Sequence, residues 1–125
     1  LCVYPSYYEP WGYTPLEAAA FKIPCVTTDL SGFGQWVDTT LGHAAGLADG
    51  VEVIHRTDLN YFDVVEAICQ SVRQIAAAPA TELTAMRRRA AALAERAQWK
   101  HFIRYYYEAY DFALRHARPA EPTLF

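Results

Sequence analysis

The chain lacks the features that mark membrane, metal-binding and nucleic-acid-binding proteins. Its four histidines are scattered without ligand spacing, and its three cysteines include no C-x-x-C pair. The formal net charge of −3 gives no basic surface for nucleic acid. No stretch approaches the roughly 20 apolar residues of a membrane span. We therefore expect no metal, no nucleic acid and no membrane partner, and reduced cysteines typical of a cytoplasmic location.

What the sequence does have is an apolar, aromatic-rich composition over a short length. Hydrophobic residues make up 53% of the 125 residues and aromatic residues 14%, which is enough for one packed domain or part of one. The chain opens on the apolar run Leu1-Cys2-Val3-Tyr4, without a starting methionine. Such a run is typical of a strand entered near its beginning, so we expect a C-terminal piece of a larger protein.

Short apolar runs alternate with helical segments over the first 58 residues. The pattern predicts strands at 1–5, 24–28 and 51–54, with helices at 14–21 and 31–37 between them. Strand–helix–strand units this short favour right-handed crossovers and a parallel sheet. The predicted fold class is therefore α/β: a partial doubly wound, Rossmann-like parallel sheet followed by C-terminal helices.

From residue 60 onward the hydrophobic period is helical. Asn60 is predicted to cap a helix that stops near Pro79. Thr81 is predicted to cap a second helix, whose inward-facing residues are Leu83, Met86, Ala90, Leu93 and Ala97. A third helix is predicted from Trp99 onward. We accordingly divide the chain into a Rossmann-like, ligand-binding portion, a helical portion of the same domain and a frayed tail. The boundaries are 1–58, 59–118 and 119–125.

Two glutamates eight residues apart flank a turn that runs into the first helix. Glu9 lies in the turn, and Glu17 lies in the first helical turn, where Thr14 is the expected N-cap and Pro15 the first helical residue. Each glutamate has a simpler explanation. Glu17 could close a capping box with Thr14, and Glu9 could be a solvated loop carboxylate.

The turn between the glutamates predicts an anion site. Gly12 allows a close approach of the backbone, and the N–H groups of Tyr13, Thr14 and Leu16 can face a phosphate at the positive end of the helix. Trp11 could instead be part of a tight turn that packs on the core. An anion site between two hydroxyl-binding carboxylates suits a nucleoside diphosphate sugar.

A longer stretch around this turn has a highly specific amino-acid sequence. It comprises residues 6–15 with Glu17, then 23–24, 26–28 and 30–34, with a looser match at Trp99-Lys100. These residues resemble the glycogen synthase family of the animal and fungal type. The resemblance implies a retaining GT-B glycosyltransferase that moves glucose from UDP-glucose to the non-reducing end of an α-1,4-glucan. It also implies no cofactor beyond the sugar donor, and a homo-oligomeric full-length enzyme.

The same resemblance implies roles for individual residues. The position of Glu9 contacts the transferred glucose and stabilises the positive charge that develops at C1, so Glu9 is the implied catalytic residue. Glu17 falls on the position that binds the ribose hydroxyls. Further substrate contacts are implied for Trp11, Gly12, Tyr13 and Thr14.

Three features depart from the family pattern. Lys22 stands where the helix usually ends with glycine, so it must adopt a left-handed geometry or close the helix differently. Asp29 stands where the eukaryotic members generally carry asparagine. The arginine-rich helix that binds glucose 6-phosphate in regulated members is reduced to four arginines, which form either a phosphate sensor or a solvated basic face: Arg87, Arg88, Arg89 and Arg96.

Two other functions fit parts of the sequence. A non-catalytic Rossmann-like module could bind glucan or a partner chain through its aromatic surface, and another GT-B retaining transferase, such as a sucrose or trehalose-phosphate synthase, shares the glutamate pair. The choice between UDP and ADP is left open, because the base-recognising residues are expected upstream of Leu1. With only part of the active site, the 125-residue chain is expected to be inactive by itself.

Overall fold

The computed structural model describes residues 1–117, and a three-stranded parallel sheet lies at its centre. The strands are β1 (Cys2–Val3), β2 (Cys25–Thr28) and β3 (Val51–Ile54), in the order β1-β2-β3. Cys25 is paired with Cys2 on one side and with Val51 on the other. The predicted parallel α/β architecture is confirmed, although β1 is shorter than expected. The predicted tail 119–125 lies outside the described residues.

Within residues 1–117, five α-helices connect and follow the strands. They are α1 (Tyr13–Ala20), α2 (Gly32–Leu41), α3 (Tyr61–Ala77), α4 (Ala80–Arg96) and α5 (Trp99–His116), with a 3-10 turn at Leu47–Asp49. Helix α2 runs past its predicted end at 37, because it stops only at Gly42, which adopts a left-handed φ of 77°. Within the described part of the chain, no helix is long and apolar enough to cross a membrane.

Helices cover both faces of the sheet. One hydrophobic cluster joins Cys25 and Val51 of the strands to α1, α2 and α4, with Phe33 at its centre and fully buried. The other cluster joins Val26 and Ile54 to α3 through Val64. Because neighbouring strand residues point to opposite faces, Cys25 and Val26 enter different clusters. This double covering is what a parallel sheet requires.

Helix α4 packs closely on the turn that precedes β3. Of the residues predicted to face inward, Met86, Ala90, Leu93 and Ala97 are buried, and Leu83 is half-buried. A Cβ atom on Gly50 would lie 2.3 Å from the main-chain nitrogen of Ala90, so only glycine fits there. The helical period therefore identified the buried face of α4.

The cap predictions were wrong at two helices. Helix α1 begins at Tyr13 with Gly12 as its N-cap, not at Pro15 with Thr14, and helix α4 begins at Ala80 with Pro79 as its N-cap rather than Thr81. Gly12 takes a φ of 116° that favours glycine, and this starts the helix two residues early. An expected capping side chain that lies one or two residues inside the helix cannot reach the free N–H groups.

Asn60 occupies the predicted N-cap position of α3 without capping it. Its side chain accepts a hydrogen bond from the Thr57 N–H group at 2.7 Å and donates to the His55 carbonyl at 2.9 Å. The amide thus shapes the β3–α3 loop.

Candidate functional site

The loop between β1 and α1 is bonded to the segment that joins β2 and α2. The Glu9 N–H group donates to the Leu30 carbonyl at 3.2 Å, and the Gly32 N–H group donates back to the Glu9 carbonyl at 3.0 Å. Two residues on, the Phe33 N–H group donates to the Trp11 carbonyl at 2.6 Å. These bonds fix the main chain of Glu9 beside the carboxyl ends of β1 and β2.

Gly32 of the Ser-Gly-Phe-Gly motif allows this close approach, and Gly34 allows α2 to begin against the end of β2. A Cβ atom on Gly32 would lie 2.2 Å from the Pro10 carbonyl oxygen, and one on Gly34 would lie 2.3 Å from the Thr28 carbonyl oxygen. Both neighbours are main-chain atoms, which cannot move aside as a flexible side chain can. The motif is therefore explained by packing of the backbone.

Ser31 joins the same segment to its helix. Its Oγ atom accepts from the Gly34 N–H group at 3.0 Å as the N-cap of α2, and it donates to the Thr28 carbonyl at 3.0 Å. The hydroxyl of Thr27 lies 3.1 Å away and completes the bonding of this buried side chain. The hydrogen bonds of Ser31 therefore fix the first turn of α2, which contains residues that pair with the Glu9 loop.

The Glu9 carboxylate is half-buried and folds over the start of α1. Its Oε2 atom accepts from the Ser6 hydroxyl at 2.9 Å and lies 3.4 Å from where a Cβ of Gly12 would be. Oε1 accepts no hydrogen bond from residues 1–117. Glu9 lines an open depression of about 470 Å³, together with Val3, Tyr4, Pro5, Ser6, Tyr8 and Thr14. One carboxylate oxygen is thus fixed and the other is available to a ligand.

The N-terminus of α1 opens beside this depression without a side-chain cap. The N–H groups of Tyr13 and Thr14 make no hydrogen bond with residues 1–117, whereas that of Leu16 donates to the Gly12 carbonyl at 3.4 Å. Of the three amides predicted to face a phosphate, two are therefore free and one is used by the helix itself. Thr14 also lines the depression.

Glu17 is exposed and lies one turn after Thr14 on α1. The capping-box explanation for Glu17 is wrong, because the N-cap is Gly12 and no side chain of residues 1–117 caps the helix. Glu17 is absent from the lining of the Glu9 depression and instead lines a groove between α1 and α4. Glu9 and Glu17 therefore line different surface depressions.

Trp11 packs inward, as the structural alternative predicted. Its ring meets those of Phe33 at 6.0 Å, Trp36 at 6.1 Å and Phe102 at 5.9 Å, measured between centroids. Tyr13 is 69% exposed and lies with Trp11 on an apolar groove of about 370 Å³ formed with the start of α5. The side chain of Trp11 thus supports the turn.

The four arginines of α4 are all exposed, but they are not alike. Arg89 donates to the Ala48 carbonyl at 2.8 Å, and Arg96 donates to the Thr40 carbonyl at 3.2 Å. Arg87 and Arg88 make no side-chain hydrogen bond with the described residues. Arg96 is therefore bonded to the last turn of α2 and Arg89 to the 3-10 turn before β3, and a phosphate-binding role for the four stays a prediction.

The other two departures from the family pattern have clear structures. Lys22 takes the left-handed geometry, with a φ of 61°, and its N–H group donates to the Ala19 carbonyl at 2.9 Å. The next N–H group, of Ile23, donates to the Ala18 carbonyl at 2.9 Å, which completes a Schellman closure. Asp29 accepts from the Arg56 N–H group at 2.9 Å and contacts the His55 ring.

Three residues near Glu9 were missed as site residues. Ser6 had a signal in its Ser-x-x-Glu spacing, and Arg56 had one in its position just after β3, where the carboxyl ends of parallel strands meet. Tyr4 had no signal beyond its place after an apolar run. The Arg56 side chain donates to the Pro5 carbonyl, 51 positions away, and the hydrogen bond between Ser6 and Glu9 depends on the bend of the loop.

Helices on both faces of a parallel sheet, and an uncapped helix start at the carboxyl ends of the strands, define the Rossmann-like α/β class. A family model described as glycogen synthase matches residues 1–124. The liver glycogen (starch) synthase of Mus musculus is 35% identical over 98% of this chain, and that of Neurospora crassa is 32% identical over 95%. Isoform 1 of the Saccharomyces cerevisiae enzyme is 30% identical over 97%.

The chain belongs to the glycogen synthase family of glycosyltransferases. The resemblance found in residues 6–34 is thus confirmed and extends along almost the whole chain. The chain spans only 17–18% of the length of these curated relatives.

Proposed function

We propose that this chain is the donor-binding part of a glycogen synthase with the GT-B fold. The whole enzyme would transfer glucose from UDP-glucose to the non-reducing end of an α-1,4-glucan, with retention at C1. The observation that carries this proposal is the half-buried Glu9 carboxylate beside the uncapped start of α1. A carboxylate and a helix N-terminus in one depression suit a ligand with a cationic centre next to an anionic group.

The diphosphate would bind at the helix start. The free N–H groups of Tyr13 and Thr14 are donors that point out of the helix, and the macrodipole adds a partial positive charge there. The Thr14 hydroxyl is a further donor on the same depression. The residues therefore fit a phosphate group without requiring a bound metal.

Glu9 would act on the transferred glucose. Its Oε2 atom is held by Ser6, so Oε1 is the oxygen that can meet the sugar. A fixed negative charge near C1 stabilises the oxocarbenium-like transition state without needing to reorganise. The acceptor hydroxyl would lose its proton to the departing phosphate, which keeps attack and departure on one face of the sugar.

Glu17 would bind the nucleotide ribose. Its carboxylate makes no hydrogen bond with residues 1–117 and stands on the same helix as the proposed phosphate donors. Because a ribose adjoins the diphosphate in the donor, a carboxylate one turn along the helix is suitably spaced for its hydroxyls.

A second candidate is a non-catalytic module that binds glucan or a partner chain. The observation in its favour is the apolar groove between the start of α1 and α5, which is lined by Trp11, Tyr13, Leu16, Ala97, Trp99, Phe102, Tyr105 and Tyr106. Such a module would bind glucan and show no affinity for UDP. Nucleotide binding by the full-length protein separates the two candidates.

Variants of the two glutamates in the full-length enzyme test the main proposal. Glu9→Gln keeps the shape and removes the charge, so it should lower kcat by about 10²-fold or more with little change in donor KM. Glu17→Gln should mainly raise the donor KM. Glu66→Gln, on the exposed surface of α3, is the matched control and should change neither. Full turnover in Glu9→Gln would contradict the assigned role.

We also infer a cytoplasmic, homo-oligomeric enzyme, supported by the three free thiols and the family.

If the α4 arginines form a sensor, glucose 6-phosphate should raise activity. Arg89→Ala should then remove the response without lowering basal turnover, and Arg87→Ala and Arg88→Ala avoid the structural contact that Arg89 makes. Activity unchanged by millimolar glucose 6-phosphate would contradict a sensor.

A further inference from the structure

Arg56 connects the three segments that follow the three strands. Its N–H group donates to Asp29, which follows β2, at 2.9 Å, and its Nη1 atom donates to the carbonyl of Pro5, which follows β1, at 2.6 Å. Its guanidinium carbon lies 4.5 Å from the centroid of the Tyr7 ring. One residue at the end of β3 therefore contacts both other strand ends.

The Arg56 contacts lie on both sides of Ser6. Pro5 accepts the guanidinium hydrogen bond, and Tyr7 provides the ring beneath it. Between them, Ser6 donates to Oε2 of Glu9 at 2.9 Å, and its carbonyl accepts from the Thr28 hydroxyl at 2.7 Å. The residue that holds the Glu9 carboxylate is thus fixed by Arg56 on either side.

The guanidinium acts here through its shape as much as through its charge. No carboxylate of residues 1–117 forms an ion pair with it, and it does not line the Glu9 depression. A planar group can donate in its plane to a carbonyl while its face rests on an aromatic ring, which a lysine ammonium cannot do. The Tyr7 hydroxyl is held in turn by Asp58.

We propose that Arg56 is a positioning residue for catalysis, which holds the Pro5–Tyr7 segment so that Ser6 fixes the Glu9 carboxylate. This inference rests on the proposed role of Glu9. It assigns the Arg56–Tyr7 pair to the chemical step and not to donor affinity, although both residues lie near the proposed donor site.

Steady-state kinetics of the full-length enzyme test the proposal. Arg56→Ala and Tyr7→Leu should each lower kcat about tenfold and change the donor KM by less than about threefold. The double variant should be little worse than either single one, because both remove the same support. Tyr7→Phe keeps the ring and should retain nearly full turnover. Arg73→Ala, an exposed arginine on α3, is the matched control.

A second measurement does not depend on the reaction. Hydrogen exchange of the amides in residues 6–12 should be faster in Arg56→Ala than in the wild type or in Arg73→Ala. A rise in donor KM in Arg56→Ala alone, with Tyr7→Leu unaffected, would overturn the proposal in favour of direct phosphate binding. Unchanged exchange or unchanged kcat would also overturn it. Failure of the proposed function differs, since wild-type enzyme would then transfer no glucose from UDP-glucose.

Discussion

The Glu9 loop (residues 4–12) and helix α5 are two aromatic-rich regions with opposite kinds of support. The loop is bonded through its main chain to residues 30–33, and the side chains of Ser6, Thr28 and Arg56 add further hydrogen bonds. Helix α5 has no buried residue in the described structure, and Tyr110 is 58% exposed. Its first turns reach the body through Phe102, whose ring meets Trp11 and Trp36.

The difference shows that the aromatic content of a segment does not indicate how many contacts fix it to the rest of the protein. The loop exposes Tyr8 and Pro10, yet its path is fixed by backbone bonds that depend on glycine at position 32. Helix α5 has a regular amphipathic pattern, and its order depends on its own hydrogen bonds and on a few aromatic contacts at one end. Local opening should therefore begin in α5 before it reaches the loop.

The largest effect is expected where the loop meets the β2–α2 segment. Gly32→Ala should destabilise the protein by about 3 kcal/mol, because the new methyl group meets a carbonyl at 2.2 Å and the backbone must move. Gly46→Ala is the control, since nothing lies within 4 Å of its Cβ position, and its change should stay within about 0.5 kcal/mol. Urea unfolding measures both. Equal effects would show that the close approach does not limit stability.

The next effect concerns the attachment of α5. Phe102→Ala should cost about 2 kcal/mol, because it removes a half-buried ring from the cluster with Trp11 and Trp36. Tyr110→Ala, on the exposed part of the same helix, should stay within about 0.5 kcal/mol. Hydrogen exchange along α5 would locate the loss. A large effect at Tyr110 would mean that the far end of the helix is packed more firmly than its exposure indicates.

A smaller effect on stability is expected from the N-termini of α1 and α2, which differ in whether a side chain caps them. Ser31→Ala should cost about 1.5 kcal/mol, because it removes the N-cap of α2 and leaves Thr27 without its partner. Thr14→Ala should cost less than about 0.5 kcal/mol, since Thr14 lies inside α1 and caps nothing. Thermal unfolding of the two variants provides the comparison. A loss at Thr14 as large as that at Ser31 would restore the predicted cap.

The smallest effect has the opposite sign. Lys22→Gly should stabilise the protein by about 1 kcal/mol, because glycine adopts the φ of 61° without strain. Ala20→Gly, in the last turn of the same helix, should destabilise it by a similar amount, about 1 kcal/mol. Denaturant midpoints measured side by side test the pair, and a loss of stability in Lys22→Gly would show that the lysine side chain makes up for its backbone strain.

Much of the fold could be predicted from sequence, because the period of the hydrophobic residues and the local composition indicate each strand and helix. The strand at 51–54 and the buried face of α4 were found in this way. The helix starts were harder, since both Gly12 and Thr14 suit an N-cap and only the path of the preceding loop decides between them.

In the candidate site, too, local features could be predicted from sequence, whereas contacts between distant segments could not. The predicted donors at the start of α1 lie within a short segment, and two of three are free. The contacts of Arg56 with Pro5 and Tyr7 cross about fifty residues, and nothing in a single sequence marks such pairs. The same limit applies to Glu17, whose groove is formed with α4.

The pairing of the Glu9 loop with residues 30–33 also determines where the chain can change in length. An added residue between Glu9 and Trp11 would break the register of the three main-chain hydrogen bonds that join the two segments. Residues 42–44 are exposed and make no such demand, whereas Ala45 is buried, donates to the Asp38 carboxylate at 2.7 Å and accepts from the Val53 N–H group at 3.0 Å. Insertions, tags or new loops engineered into this protein should therefore be placed within 42–44, and natural variation in length should accumulate there as well.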